Sequence, residues 1–201
     1  MGSGRRGKEH DLHRRVWLTR AFLSGLVLAL PPAVLAADDA LTRFSISRQD
    51  DEFLIEGALS VAVPPTVAWA VFVDYDHMHE FVPNMHESRV LTRDGVHLRV
   101  VQKGVMPLGP FRFPYDVERD VHLQPETVVV SSGVRGNMRK VEMLTELEAQ
   151  GDGVRIHHRA VIVPDFWVPP LLGPRLLRSR AEVQFDALAA EMRRRAALAA
   201  R

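Results

Sequence analysis

The chain lacks cysteine altogether, holds only two tyrosines, and has no apolar run long enough to span a bilayer. Without thiols there is no disulfide framework, no thiol nucleophile and no thiolate metal site. No glycine-rich phosphate loop is present. Gly133-Val134-Arg135-Gly136 is too short for one and reads as a hairpin turn. No Ser, His and Asp stand in an order that suggests a hydrolytic triad. Neither sign of charge dominates, since 26 Lys/Arg face 25 Asp/Glu over 201 residues. With 46% apolar and 25% charged residues, the composition excludes wholesale disorder, a collagen-like repeat and a multi-span membrane protein.

The balance of charge hides an asymmetry. Residues 1–36 carry six Lys/Arg and two Asp/Glu, leaving 20 and 23 in the remainder, a net of −3. A slightly acidic body argues against nucleic acid as a partner. The basic leader ends in the apolar run Ala21–Ala36, which contains Pro31-Pro32 and is followed by Asp38-Asp39. A spanning helix needs about 20 apolar residues, so a cleaved secretory signal over 1–37 is expected, with an uncleaved inner-membrane anchor as the alternative. Cleavage is placed after Ala36 or Ala37. Arg14-Arg15-Val16-Trp17-Leu18 is similar to a twin-arginine export signal, although Trp17 departs from it. Either route puts the mature domain, residues 38–201, in the periplasm or outside the cell.

No repeat or linker divides that domain. Residues 53–63 alternate Ile55, Gly57, Leu59, Val61 and Val63 against Glu56, Ser60 and Ala62, a period-two strand stopped by Pro64-Pro65. Val67, Ala70 and Val71 are spaced for a short helix, and His77–Phe81 for a second. Strand signals follow over 88–92, 96–102, 111–123, 127–132, 139–148 and 154–163. Turns at Arg93-Asp94-Gly95 and Gly151-Asp152-Gly153 join two pairs of them. Short connections make the strands antiparallel. Leu177, Ala181, Phe185, Leu188 and Met192 then recur at helical spacing. The reading is an α+β domain: a seven-stranded antiparallel sheet curled around one long C-terminal helix, with two short helices after the first strand. Curling a sheet around a single helix leaves a gap between them.

Several strings carry a resemblance to a known family. They are Val71-Phe72-Val73-Asp74-Tyr75 running to Phe81-Val82-Pro83-Asn84-Met85, then Ser88-Arg89-Val90-Leu91, and later Pro164-Asp165-Phe166-Trp167-Val168-Pro169-Pro170 ahead of the last helix. Together with the element order, over about residues 52–198, they resemble the START-like superfamily with its helix-grip fold. Within it the chain is most similar to the bacterial polyketide cyclase/dehydrase and lipid-transport group, which includes coenzyme-Q-binding proteins. The resemblance implies a deep apolar cavity for lipids, sterols, quinones or polyketides, and no single chemistry.

On this reading the expected ligand lining is Trp69, Phe72, Phe81, Tyr115, Met143, His158, Ile162, Phe166, Trp167 and Leu176. His158 shares a face with Ile156 and Ile162, and Tyr115 and Arg99 are expected to look inward from neighbouring strands. Asp74 to Asn84 is either a gate lined by Phe81 and Met85 or a helix end that supports the core. Phe166-Trp167, between stiffening prolines, is a ligand grip, a membrane contact or a plug. His77, His79 and His86 lack the spacing of a helical zinc site and read as a solvated turn, and Asp116 and Glu118 read as a charged outer face. No cofactor or metal is called for. Three functions remain open: an exported binding or transport protein for a lipid, quinone or isoprenoid; a polyketide cyclase or aromatase using Tyr115, Arg99 or His158; and a docking module of an envelope assembly contacting its partner through 164–172. Burying 300–500 Å² of ligand would contribute about 8–12 kcal/mol before ordering costs.

Overall fold

The alternation read from the sequence builds one antiparallel sheet. The structure, a computed structural model, describes residues 43–168 and 173–201; the expected leader over 1–37 and the prolines 169 and 170 lie outside the described residues. In chain order the elements are β1 (Arg43–Gln49), β2 (Glu52–Val61), α1 (Pro65–Phe72), α2 (Met78–Phe81), β3 (Met85–Asp94), β4 (His97–Leu108), β5 (Phe111–Gln124), β6 (Val128–Gly136), β7 (Met138–Gln150), β8 (Gly153–Pro164) and α3 (Gly173–Ala199). The sheet order is β1-β2-β8-β7-β6-β5-β4-β3.

The described sheet has eight strands where seven were expected. The added strand is β1, paired with β2 from Arg43↔Ala58 to Gln49↔Glu52. Only Phe44 and Ile46 of its seven residues are apolar. Its turn uses Asp50 at a φ of 56° in place of glycine. A second correction concerns 133–136. These residues continue β6, and the turn falls at Asn137. A bulge absorbs the extra residue, placing Arg135 opposite Glu118 and Gly133 opposite Arg119.

Pro64 caps α1 and Pro65 opens it, where a missing N–H costs nothing. The helix buries Ala68, Val71 and Phe72. The face expected for α3 is largely the buried one, with Leu177, Phe185, Leu188, Ala189 and Met192 turned inward. That helix packs on β1, β2, β4 and both short helices. Apolar side chains form two clusters. One gathers Leu59, Val71, Val100, Ile156, Phe185 and Met192, among others. The other holds Phe53, Val117, Val141, Ile162, Val168 and Leu177. No helix among the described residues is long and apolar enough to cross a membrane.

Candidate functional site

Inward faces of five strands meet α3 around a cavity of about 190 Å³. Strand parity builds its wall. Ile55 comes from β2; Tyr115, Val117 and Arg119 from β5; Val141 and Met143 from β7; His158, Ala160 and Ile162 from β8. The fifth strand, β4, adds Gln102, Val105 and Met106. Leu177, Arg180, Ala181 and Phe185 close the helix side, and Pro83 and Asn84 border it from the α2–β3 connection, with Met85 at the start of β3. Members of both apolar clusters line the cavity, so it lies where they meet.

Gly104 lets that connection close. A Cβ there would stand 2.1 Å from the Asn84 carbonyl oxygen and 2.7 Å from the Tyr115 hydroxyl. The Asn84 carbonyl instead accepts a hydrogen bond from the Val105 N–H at 2.9 Å.

One polar network sits in this wall. Arg119 is 7% exposed. Its Nη1 donates to Ser131 Oγ at 2.9 Å and to Met143 Sδ at 3.2 Å, and its Nη2 donates to Gln102 Oε1. Gln102 Nε2 in turn donates to Ser88 Oγ at 3.1 Å. The guanidinium lies 5.9 Å from the centre of the Tyr75 ring. Arg119 Nε is buried with no partner among the described residues. Burial raises the pKa of Tyr75 and pushes that of Tyr115 to about 12, so both phenols stay protonated. His158 shares a 2.8 Å hydrogen bond with the Thr145 hydroxyl. Burial, and then the Arg119 charge, hold its pKa down at about 4.

The last shift has a consequence for stability. Unfolded, the imidazole takes up a proton below its usual 6.5; folded, it does so only near 4. Its contribution is therefore full above pH 6.5 and is lost as pH falls from 6.5 toward 4. Between pH 7 and pH 5 the unfolding free energy should drop by roughly 2 kcal/mol from this group. His158→Asn, which keeps a partner for Thr145, should flatten that slope in urea unfolding. An unchanged slope would remove His158 as the cause.

Of the ten residues expected to line a ligand, the structure brings Tyr115, Met143, His158 and Ile162 to the cavity wall. Trp69, Phe72 and Phe81 sit in or against the larger apolar cluster. Phe72 packs 6.4 Å from Phe185, and Phe81 lies under the Arg195 guanidinium at 5.7 Å. Phe166 and Leu176 pack on the smaller cluster. Phe166 stacks on Phe113 at 4.5 Å, whereas Trp167 is 69% exposed.

Arg99 corrects an expectation. It faces outward, bonded to Glu118 and Asp120, and the inward arginine is Arg119. The alternation Tyr115, Val117, Arg119, Val121 and Leu123 carried that signal in the sequence. In the outer charged face, Lys103 reaches Asp116, while Arg99 and Arg135 reach Glu118. Of the gate residues, Met85 reaches the cavity and Phe81 does not. His77 bonds Asp74 at 2.6 Å, and no cluster of three metal-capable side chains occurs among the described residues.

A sheet wrapped on one long helix around an apolar cavity defines the helix-grip class. The chain belongs to the polyketide cyclase / dehydrase and lipid transport family, whose model matches residues 61–186. Among solved structures, the Zhui aromatase/cyclase from Streptomyces sp. R1128 is 12% identical with a TM-score of 0.60, over 72% of this chain and 95% of that one. A STAR-related lipid transfer protein from Xanthomonas axonopodis is 12% identical with a TM-score of 0.57, over 75% and 98%. A START superfamily protein from Mycobacterium smegmatis is 15% identical with a TM-score of 0.59, over 70% and 97%. These likenesses are of fold. No curated protein matches the sequence.

Proposed function

We propose that the protein is an exported carrier that buries a hydrophobic small molecule, a lipid, quinone or isoprenoid, between its sheet and α3. The observation that carries this reading is the apolar-walled cavity between Ile162, Met143, Met106 and Phe185. The lipid-transport description of the family supports it, and the basic and apolar leader over 1–37 supports export. Transfer to and from a membrane is assigned to the aromatic end of the domain. There Phe111 is 52% and Trp167 is 69% exposed, linked through the Phe111–Phe113 and Phe113–Phe166 ring contacts. Trp is favoured where an apolar body meets a wet interface.

Native mass spectrometry of the protein purified gently from its own host tests the reading. A reproducible mass increment that organic extraction removes and that proves to be a lipid or quinone is the expected result. Vesicle-to-vesicle transfer of that cargo should slow in Trp167→Ala with thermal stability unchanged. A protein that is empty and takes up no lipid from vesicles would end the carrier reading.

A further inference from the structure

The cavity wall carries two cations, Arg119 and Arg180, and no Asp or Glu among its described residues. Arg180 stands on α3 and is partly exposed. Arg119 is the unusual one. It lies in the middle of β5, is 7% exposed, and makes no ion pair with any described carboxylate. Its partners are Ser131, Gln102 and Met143, all neutral.

Hydrogen bonding does not account for the charge, which among the described residues meets only the face of the Tyr75 ring at 5.9 Å. Tying β5 to Ser131 and Gln102 needs hydrogen-bond donors, which a neutral amide supplies without the penalty of burying an ion. An arginine stays protonated in proteins and offers five donors. Three are used here. Nε–H and one Nη2 hydrogen have no acceptor among the described residues. The charge is also felt by its neighbours, since it lowers the pKa of His158. Nearby Tyr115 adds a hydroxyl donor to the same wall.

We infer that the occupant of the cavity is a single-chain amphiphile with a carboxylate head, held against the Arg119 guanidinium with its chain among Met106, Met143, Ile162 and Phe185. The carboxylate is the counter-charge the wall lacks, and its paired oxygens match the planar fork of a guanidinium. The size of the chain follows from the space. A water needs about 10–15 Å³ of such volume, so the ≈ 190 Å³ present suits on the order of fifteen non-hydrogen atoms, as in a fatty acid of about twelve carbons. This rests on the cavity-binding reading above and narrows it to one class of ligand.

The test uses the full-length, delipidated protein at pH 7.5 and three probes of equal chain length: dodecanoate, dodecanol and dodecyltrimethylammonium, each below its micellar concentration. Calorimetry should give dodecanoate at least tenfold tighter binding than dodecanol, with the cation weakest. In Arg119→Gln the acid should lose its advantage, the acid and the alcohol converging to within about twofold. Because that variant risks misfolding, a second measurement uses the native sequence alone. Dodecanoate labelled with ¹³C at the carboxyl should titrate at lower pH when bound than when free. Equal binding of acid and alcohol, or a bound carboxyl titrating higher, would overturn this inference and leave the cavity-binding reading in place. If none of the three probes binds, this inference falls, and the vesicle-uptake test above decides the cavity-binding reading.

Discussion

Replacing Phe53 with alanine should lower the unfolding free energy by about 3–5 kcal/mol, the range for emptying a buried phenylalanine site. The ring is 1% exposed. It comes from β2, where Phe53 is paired with Ile162 of β8, and packs with Val117, Val141, Val168 and Leu177. Its edge lies beneath the start of α3, where a Cβ at Gly173 would come within 3.5 Å of it. The Arg48 guanidinium covers the ring at 5.3 Å. Little can collapse into the vacated space, because Val117, Val141 and Ile162 are held in strands and Leu177 in the helix. Urea unfolding should show a lower midpoint at an unchanged slope, and Phe53→Leu should recover most of the loss. A cost under 1 kcal/mol for the alanine variant would mean that this cluster does not hold α3 on the sheet.

The second large effect is expected at Gly136, where alanine should cost about 2–5 kcal/mol from two separate causes. The residue adopts a φ of 126°, a conformation that side chains resist. A Cβ there would also fall 2.0 Å from the Asp116 carbonyl oxygen. That atom is backbone, so β5 or β6 must shift. The neighbouring Asn137 makes the shift costly. It accepts from the Asp116 N–H at 2.9 Å and donates to the Pro114 carbonyl at 2.7 Å, and its own carbonyl accepts from the Asp165 N–H at 3.3 Å. Gly104→Ala isolates the steric part, since its backbone angle is ordinary and only the contacts with Asn84 and Tyr115 are violated. Denaturant midpoints of the two variants separate the contributions. Near-native stability of Gly136→Ala would show that the bulge re-forms elsewhere.

The sequence made most of the sheet and the long helix legible because their periods are clean. In β7 Val141, Thr145 and Leu147 are buried against exposed Glu142, Glu146 and Glu148. In β8, Val154, Ile156, Ala160 and Ile162 do the same. β1 was hidden by its polar composition, since a strand at a sheet edge needs only two inward apolar residues to be held. The inward parity of β4 was obscured by Val100-Val101, both buried on opposite faces. That ambiguity set Arg99 inward in the reading, although it sits opposite Asp120 on the outer side. The aromatics of α1 and α2 looked like ligand contacts because residue type says what is buried, not against what. Phe72 meets Phe185 across the core without reaching the cavity that Phe185 helps to line. Arg119 stands on the same readable face of its strand, but arginine is ordinarily a surface residue, so its type masks its inward parity.

The pairing of the strands is uneven, and this bears on how the cavity wall is held together. β4 and β5 share twelve paired positions, as do β7 and β8. β6 and β7 share five, from Val128↔Glu146 to Ser132↔Glu142. The sheet is thus two boards joined along a short spine. Arg119 reaches across it from one side, with Nη1 bonded to Ser131 on β6 and to Met143 on β7. The same side chain is therefore both a latch on the spine and the cation of the cavity. Because its Nε–H and one Nη2 hydrogen find no acceptor among the described residues, it has donors left for a guest while both latch bonds stand.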